Sequence, residues 1–452
     1  MSFRDETPTQ AFWRVANRFE PEGYRLGVDP EFEAILLDPD QRFRGLYVIG
    51  HPGTGKTTLL QNLMLQDLQA GHGFALISPE QETFTEQVLP FIPPARREDV
   101  IYLNPLDLDR PIPFNPLHVT PGTDLDAQAS HTLSILRRIF EDNSAATPRM
   151  NAILRHVIRT LLLRSGSTLL DAIPLCTDPT FRAKVLSEID DEDLTRFWDS
   201  VYPTFGRDAY LTLFNRLDSV LSSRYVRAVL CTPGACLDLR GAMESGKILL
   251  VNLPDGLIGE DAALIIGQLV VAKLQLASLS RADMSIEERR PFYVYIDEFH
   301  TFCNTAVTSY GKMLTRGRKY RAPLILAHQQ LGSISQEVLK DIFGTVSTIV
   351  AFAVDDNDAR RLAREMGLKR HHSLRHLAVG TAYCRSGGRL TGLLTDHPAT
   401  GGSARAMKEV IANSRRKYGV MVSGQSREGP TSAPPGHSSP GIDDLDPGNP
   451  FS

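Results

Sequence analysis

At 452 residues, with 42% hydrophobic and 23% charged residues, the chain has the composition of an ordinary globular protein and the length of two or three folding units. A net charge of −4 excludes a generally basic nucleic-acid coat, so any contact with nucleic acid must be local, as in a channel. The five cysteines are scattered with no Cys-x-x-Cys pair, which argues against a disulfide framework or zinc site and for a reducing cytoplasm.

Residues 1–43 begin charged and polar, without an apolar signal core, and read as a leader with one short helix around Phe12 to Arg18. Leu46-Tyr47-Val48-Ile49 then reads as a buried strand. It runs into Gly50-His51-Pro52-Gly53-Thr54-Gly55-Lys56-Thr57, which fits the phosphate-binding P-loop without a mismatch, and Thr58 onward opens a helix stopped by Gly71. Glycines let the backbone N–H groups wrap phosphates, Lys56 would reach the β- and γ-phosphates, and the Thr57 hydroxyl would sit on Mg²⁺. The partial positive charge of the helix N-terminus favours the same ligand. A nucleotide, ATP with Mg²⁺, is the expected occupant.

Phe74-Ala75-Leu76-Ile77 and Val100-Ile101-Tyr102-Leu103 are short apolar runs between turn residues, hence further buried strands of a parallel, helix-covered α/β sheet. From 124 to 240 the character changes. Leu133, Leu136 and Ile139, then Ile153, Leu154, Val157 and Leu161, follow the helical period, and an inserted all-helical unit is expected. Strand signals resume at Ile248–Val251. The apolar run Ala262 to Leu279 holds Gln268, Lys273 and Gln275, so it reads as a core helix, not a membrane span.

Phe292 to Ile296 ending in Asp297-Glu298 has the form of a Walker B strand: Asp297 would hold the Mg²⁺ shell and Glu298 would polarise the attacking water. The basic run Arg316-Gly317-Arg318-Lys319-Tyr320-Arg321 follows, either a solvated helix face or the source of an arginine acting on a neighbouring subunit's phosphates. The strand Leu324–Ala327 ends in His328-Gln329-Gln330, where an amide suits sensing the γ-phosphate. Val346 to Ala351 is another strand, and Gly380–Cys384 with Leu390–Leu394 around Gly387-Gly388 forms a hairpin. Lys369-Arg370-His371-His372-Ser373-Leu374-Arg375-His376 is a nucleic-acid-contacting loop or a solvated surface loop, and Cys231 to Cys236 is structural. Ala406 to Tyr418 reads as a last basic helix, and residues 422–452 as a disordered tail.

The ordered combination of these motifs around a helical insertion resembles the FtsK/HerA superfamily of pumping ATPases, and within it type IV secretion coupling proteins of the TraG/TraD kind. Asp99-Val100-Ile101-Tyr102, Phe114-Asn115-Pro116-Leu117, Gly246 to Leu253, Asp297-Glu298-Phe299-His300 and Ser414 to Gly419 carry the likeness, from about residue 44 to 420. It implies a RecA-like core over 44–123 and 241–400, the helical domain at 124–240, and a basic helix at 401–421. The nucleotide would contact Gly50, Pro52, Gly53, Thr54, Gly55, Lys56, Thr57 and Thr58. It implies a homo-hexameric ring threading DNA, a trans-acting arginine at Arg318 and a sensor at Gln329. A relaxase or secretion-channel protein would be the partner, and a partner would bring the cytoplasmic chain to the membrane. Two features depart from the family: no apolar span precedes the P-loop, and Ser78-Pro79-Glu80-Gln81-Glu82 stands where many relatives have Asp-Pro-Lys-Gly-Asp. A ring ATPase moving protein, and a nucleotide-regulated binding protein, are the alternatives; Lys56, Thr57, Asp297 and Glu298 argue against the second.

Overall fold

The computed structural model describes residues 23–119, 124–140, 148–233, 236–302 and 307–421. Its centre is an 11-stranded sheet. In chain order the strands are β1 (Tyr24–Val28), β2 (Ala34–Leu37), β3 (Leu46–Ile49), β4 (Gly73–Ser78), β5 (Val100–Leu103), β6 (Ile248–Asn252), β7 (Phe292–Ile296), β8 (Leu324–His328), β9 (Thr348–Ala351), β10 (Thr381–Ser386) and β11 (Arg389–Thr395). Their spatial order is β2-β1-β11-β10-β9-β3-β8-β7-β4-β6-β5. From β9 to β5 every pairing is parallel; from β9 outward to β2 every pairing is antiparallel.

The parallel strands are apolar without alternation because helices cover both of their faces. In β3, Tyr47 and Ile49 face one core, and Leu46 and Val48 face the other. The first core continues into the helices between β5 and β6, among them Leu125–Phe140, Pro148–Leu163 and Arg207–Leu221, and into Glu260–Ser280. Among the described residues, all regular structure from 124 to 230 is helical. These helices share their apolar core with the sheet and do not stand apart from it. Phe114-Asn115-Pro116-Leu117 fastens their base: the Phe114 N–H donates to the Val229 carbonyl at 2.8 Å, and the Asn115 side-chain amide to the Ser167 carbonyl at 2.7 Å.

Helix Glu260–Ser280, extended to Asp283, is long and apolar enough by length and composition to cross a membrane, but 72% of its apolar window is buried inside the protein. The second core holds helix Lys56–Gln69 and Val410 of helix Ala404–Tyr418. That last helix covers the edge strand β5, its Ser414 hydroxyl accepting the Tyr102 N–H at 2.7 Å.

Residues 24–43 correct the expected leader. They form β1, β2 and the short helix Pro39–Phe43, which extend the sheet at its antiparallel edge. Gly27 permits the join: its φ is +153°, and a Cβ there would lie 2.1 Å from the Leu394 carbonyl oxygen. Arg42 is buried between the rings of Tyr24 and Tyr293, 3.8 and 4.0 Å from their centroids, and pairs with Asp67 at 2.6 Å. The expected helix at Phe12 to Arg18 and the tail 422–452 lie outside the described residues.

Candidate active site

The site lies at the carboxyl ends of the central parallel strands, where loops leave the sheet and ligands of open α/β folds sit. β3 delivers the P-loop, β7 delivers Asp297-Glu298, and β8, seated between them, delivers Gln329. Crossover connections thus bring together residues far apart in the chain.

The P-loop is held from three sides. The Gly50 N–H donates to the His328 carbonyl at 3.3 Å, the His51 N–H to the Ala353 carbonyl at 2.8 Å, and the Gly380 N–H to the Thr54 carbonyl at 2.9 Å. Gly55 has φ +118°, a conformation that favours glycine, and a Cβ on it would press on Gly380 Cα at 3.3 Å. Helix Lys56–Gln69 starts there with no side chain capping its first N–H groups, which leaves them available to an anion. Thr57 and Thr58 occupy its first turn. The buried Lys56 ammonium is folded back onto its own loop, donating to the carbonyls of Gly50 at 2.9 Å and His51 at 3.3 Å. Burial lowers its pKa, opposed by the nearby Glu298, Asp297 and Glu80 carboxylates.

Asp297 is 1% exposed, and its N–H donates to the Ile77 carbonyl of the adjacent β4 at 3.0 Å. Its Oδ1 accepts the Glu298 N–H at 3.1 Å; its buried Oδ2 has no hydrogen-bond partner. Burial first, then Glu298 and Glu80, push its pKa up to about 7. An unpartnered buried carboxylate oxygen beside a lysine already occupied by backbone carbonyls is a donor set suited to a hard divalent cation such as Mg²⁺.

Glu298 takes a left-handed backbone, φ +46°, sparsely populated for a side-chain-bearing residue. Gln329 Nε2 donates to its Oε1 at 3.0 Å, and His300 Nδ1 lies 3.3 Å from its Oε2. Behind Gln329, His328 is fully buried and hydrogen-bonds the Tyr47 hydroxyl, and burial lowers its pKa to about 3, so it stays neutral.

The structure thus gathers Gly50 to Thr58, Asp297, Glu298 and Gln329 at one edge of the sheet. Arg318 is not among them. It ends helix Val307–Tyr320, just before β8 begins, and so sits at the opposite edge from its own P-loop. There it pairs with Asp40 at 2.8 Å, the two side chains 55% and 52% exposed. Sequence reading gave no role to Glu80, His300 or His328. Glu80 stands two residues past the end of β4, its N–H donating to the Ser78 hydroxyl at 3.1 Å, and only the pairing of β4 with β7 brings it near Asp297.

No family model matches this sequence, and no curated protein matches it. Among solved structures, the chain is similar to the plasmid coupling protein TrwB in complex with ADP and Mg²⁺, with a TM-score of 0.62 and 17% identity over 87% of this chain and 94% of that one. TrwB in its trigonal form with sulphate gives a TM-score of 0.63 and 15% identity over the same shares. VirB4 of Thermoanaerobacter pseudethanolicus gives 0.57 and 16% identity, covering 86% of this chain and 99% of that one. At such identities the likeness is one of fold: the chain has the RecA-like architecture of TrwB and VirB4, a mostly parallel sheet with helices on both faces.

Proposed function

We propose that this chain is an ATP-driven motor that translocates DNA in conjugative transfer, type IV secretion or a related mobile-element process. The observation that carries this reading is the convergence of the P-loop, Asp297, Glu298 and Gln329 on one sheet edge, in a fold shared with TrwB, which has been solved with ADP and Mg²⁺ and with the non-hydrolysable ATP analogue ADPNP. Lys56, once it leaves the carbonyls of Gly50 and His51, binds the β- and γ-phosphates. Thr57 and Asp297 would hold Mg²⁺, which supplies charge neutralisation on the phosphates. Glu298 orients the attacking water and accepts its proton, with Gln329 fixing the carboxylate until a γ-phosphate competes for the amide. Because Arg318 stands away from its own P-loop, it would act on the nucleotide of a neighbouring subunit in a homo-hexameric ring, with DNA in the central channel.

ATPase rate measured with and without single- and double-stranded DNA tests the reading. Stimulation by DNA is expected. No stimulation by either form, with no DNA retention at low salt, overturns it and favours a protein cargo.

A further inference from the structure

The basic run 369–376 is left unused by the nucleotide site, yet the fold sets it at the same sheet edge. It follows helix Asp356–Met366, whose apolar face, Ala359, Leu362, Ala363 and Met366, is buried. The helix ends at Gly367, in the left-handed region at φ +77°. The run is pinned to the core by one side chain, the buried Leu374, whose carbonyl accepts the Val354 N–H at 3.1 Å. The residue before Val354 accepts the His51 N–H of the P-loop at 2.8 Å. Two backbone hydrogen bonds on adjacent residues therefore connect the basic run to the phosphate-binding loop.

The charges here are unevenly matched. Asp356 is taken up by Arg360 at 2.7 Å and Arg375 at 3.3 Å. His371 and His372 could join Asp356 around a metal ion, but two guanidinium groups already neutralise that carboxylate and would repel one. Lys369 and Arg370 are exposed and have no acidic partner among the described residues. Arg364, in the last turn of helix Asp356–Met366, is likewise exposed and has no acidic partner among the described residues. Unpaired cations on an anchored turn, with no Phe, Tyr or Trp among residues 369–376 to stack a base, suit a repeating phosphate backbone and not a base edge.

We propose that Lys369 and Arg370 grip the phosphodiester backbone of DNA without regard to sequence, and that the Leu374–Val354 and Ala353–His51 hydrogen bonds pass this contact to the P-loop. This rests on the DNA-motor reading and adds to it the surface that holds the cargo. The same chemistry serves single and double strands.

The test uses the full-length chain. A Lys369→Ala/Arg370→Ala double variant is compared with wild type and with Arg405→Ala/Lys408→Ala, which removes two exposed cations from helix Ala404–Tyr418. DNA affinity is measured against salt concentration. Each lost phosphate contact lowers the slope of log affinity against log salt by about 0.7 on single strands and about 0.9 on duplex, so the loop variant should lose about 1.4 and about 1.8. The helix variant should keep the wild-type slope. The loop variant should also keep its ATPase rate without DNA and lose the stimulation by DNA. A wild-type slope in the loop variant overturns this inference and leaves the motor reading standing; wild type that binds no DNA at all overturns both.

Discussion

The Gln329 side-chain amide donates to Glu298 Oε1 at 3.0 Å, joining residues 31 positions apart that leave neighbouring strands at the same height. An amide bonded to the carboxylate before any γ-phosphate arrives can both restrain Glu298 and report the phosphate by exchanging one acceptor for the other. Gln329→Ala is therefore expected to leave ATP binding near wild type while turnover falls on the order of tenfold to a hundredfold. Glu298→Gln should lower turnover by about 10² to 10⁴ and retain bound ATP, the range for loss of a general base. Equilibrium nucleotide binding alongside single-turnover hydrolysis separates the two effects, and wild-type hydrolysis by Glu298→Gln places the base elsewhere.

Lys56→Ala should abolish turnover, because no other described side chain at the P-loop replaces its ammonium at the phosphates. Arg318→Ala should also be inactive by itself, although Arg318 lies at the far edge of its own sheet. Mixing the two inactive variants should restore part of the activity, since some interfaces then pair an intact P-loop with an intact arginine. If mixed samples stay as inactive as either parent, Arg318 does not act across a subunit boundary.

Acid should destabilise the fold through His328, which is buried neutral with its pKa lowered to about 3 from the ordinary 6.5. The unfolded chain takes up a proton at this side chain below pH 6.5 and the folded chain does not, so stability is present above that pH and is lost as pH falls. One such group costs about 1.6 kcal/mol between pH 6.5 and about pH 5, the slope rising toward about 1.4 kcal/mol per pH unit as the unfolded imidazole becomes fully protonated. Urea unfolding across this window should show wild type losing about that much more than His328→Gln. Parallel curves would exclude His328 as the source.

The buried pair Arg42–Asp67 should be costly to break and cheap to replace. The Asp67 carboxylate also accepts the Tyr295 hydroxyl, and Arg42 lies between two aromatic rings. Asp67→Ala strands a buried guanidinium and should cost about 3 to 5 kcal/mol in unfolding free energy. Arg42→Met/Asp67→Leu, which removes both charges and fills the space, should recover most of that loss. A double variant no more stable than Asp67→Ala would show that the pair itself, not the unmet charge, holds β1 to the core.

The seven parallel strands were legible because each contains a short, unbroken apolar stretch, the pattern that burial on both faces imposes. The P-loop and Asp297-Glu298 were legible for a related reason: their spacing is fixed locally, by one turn and one strand end. β1 and β2 were not. They are short antiparallel edge strands whose register shifts between Arg25 and Gly27, and the alternation of Tyr24 and Leu26 with Arg25 is too brief to declare itself. Glu80, His300 and His328 were equally silent, since each gains its neighbours only through strand pairing.

Local spacing and backbone conformation suffice to specify a glycine-rich loop of P-loop pattern, an acidic strand end and a strand-end amide, and these can be read from the chain alone. That they meet follows from the order of the strands. The strand order β3-β8-β7 places Gln329 between the P-loop and Glu298, β4 brings Glu80 alongside, and Arg318 is carried to the opposite edge. Strand order is set by how covering helices bury the apolar faces of the whole sheet, a sum over contacts distant in sequence that no single segment encodes.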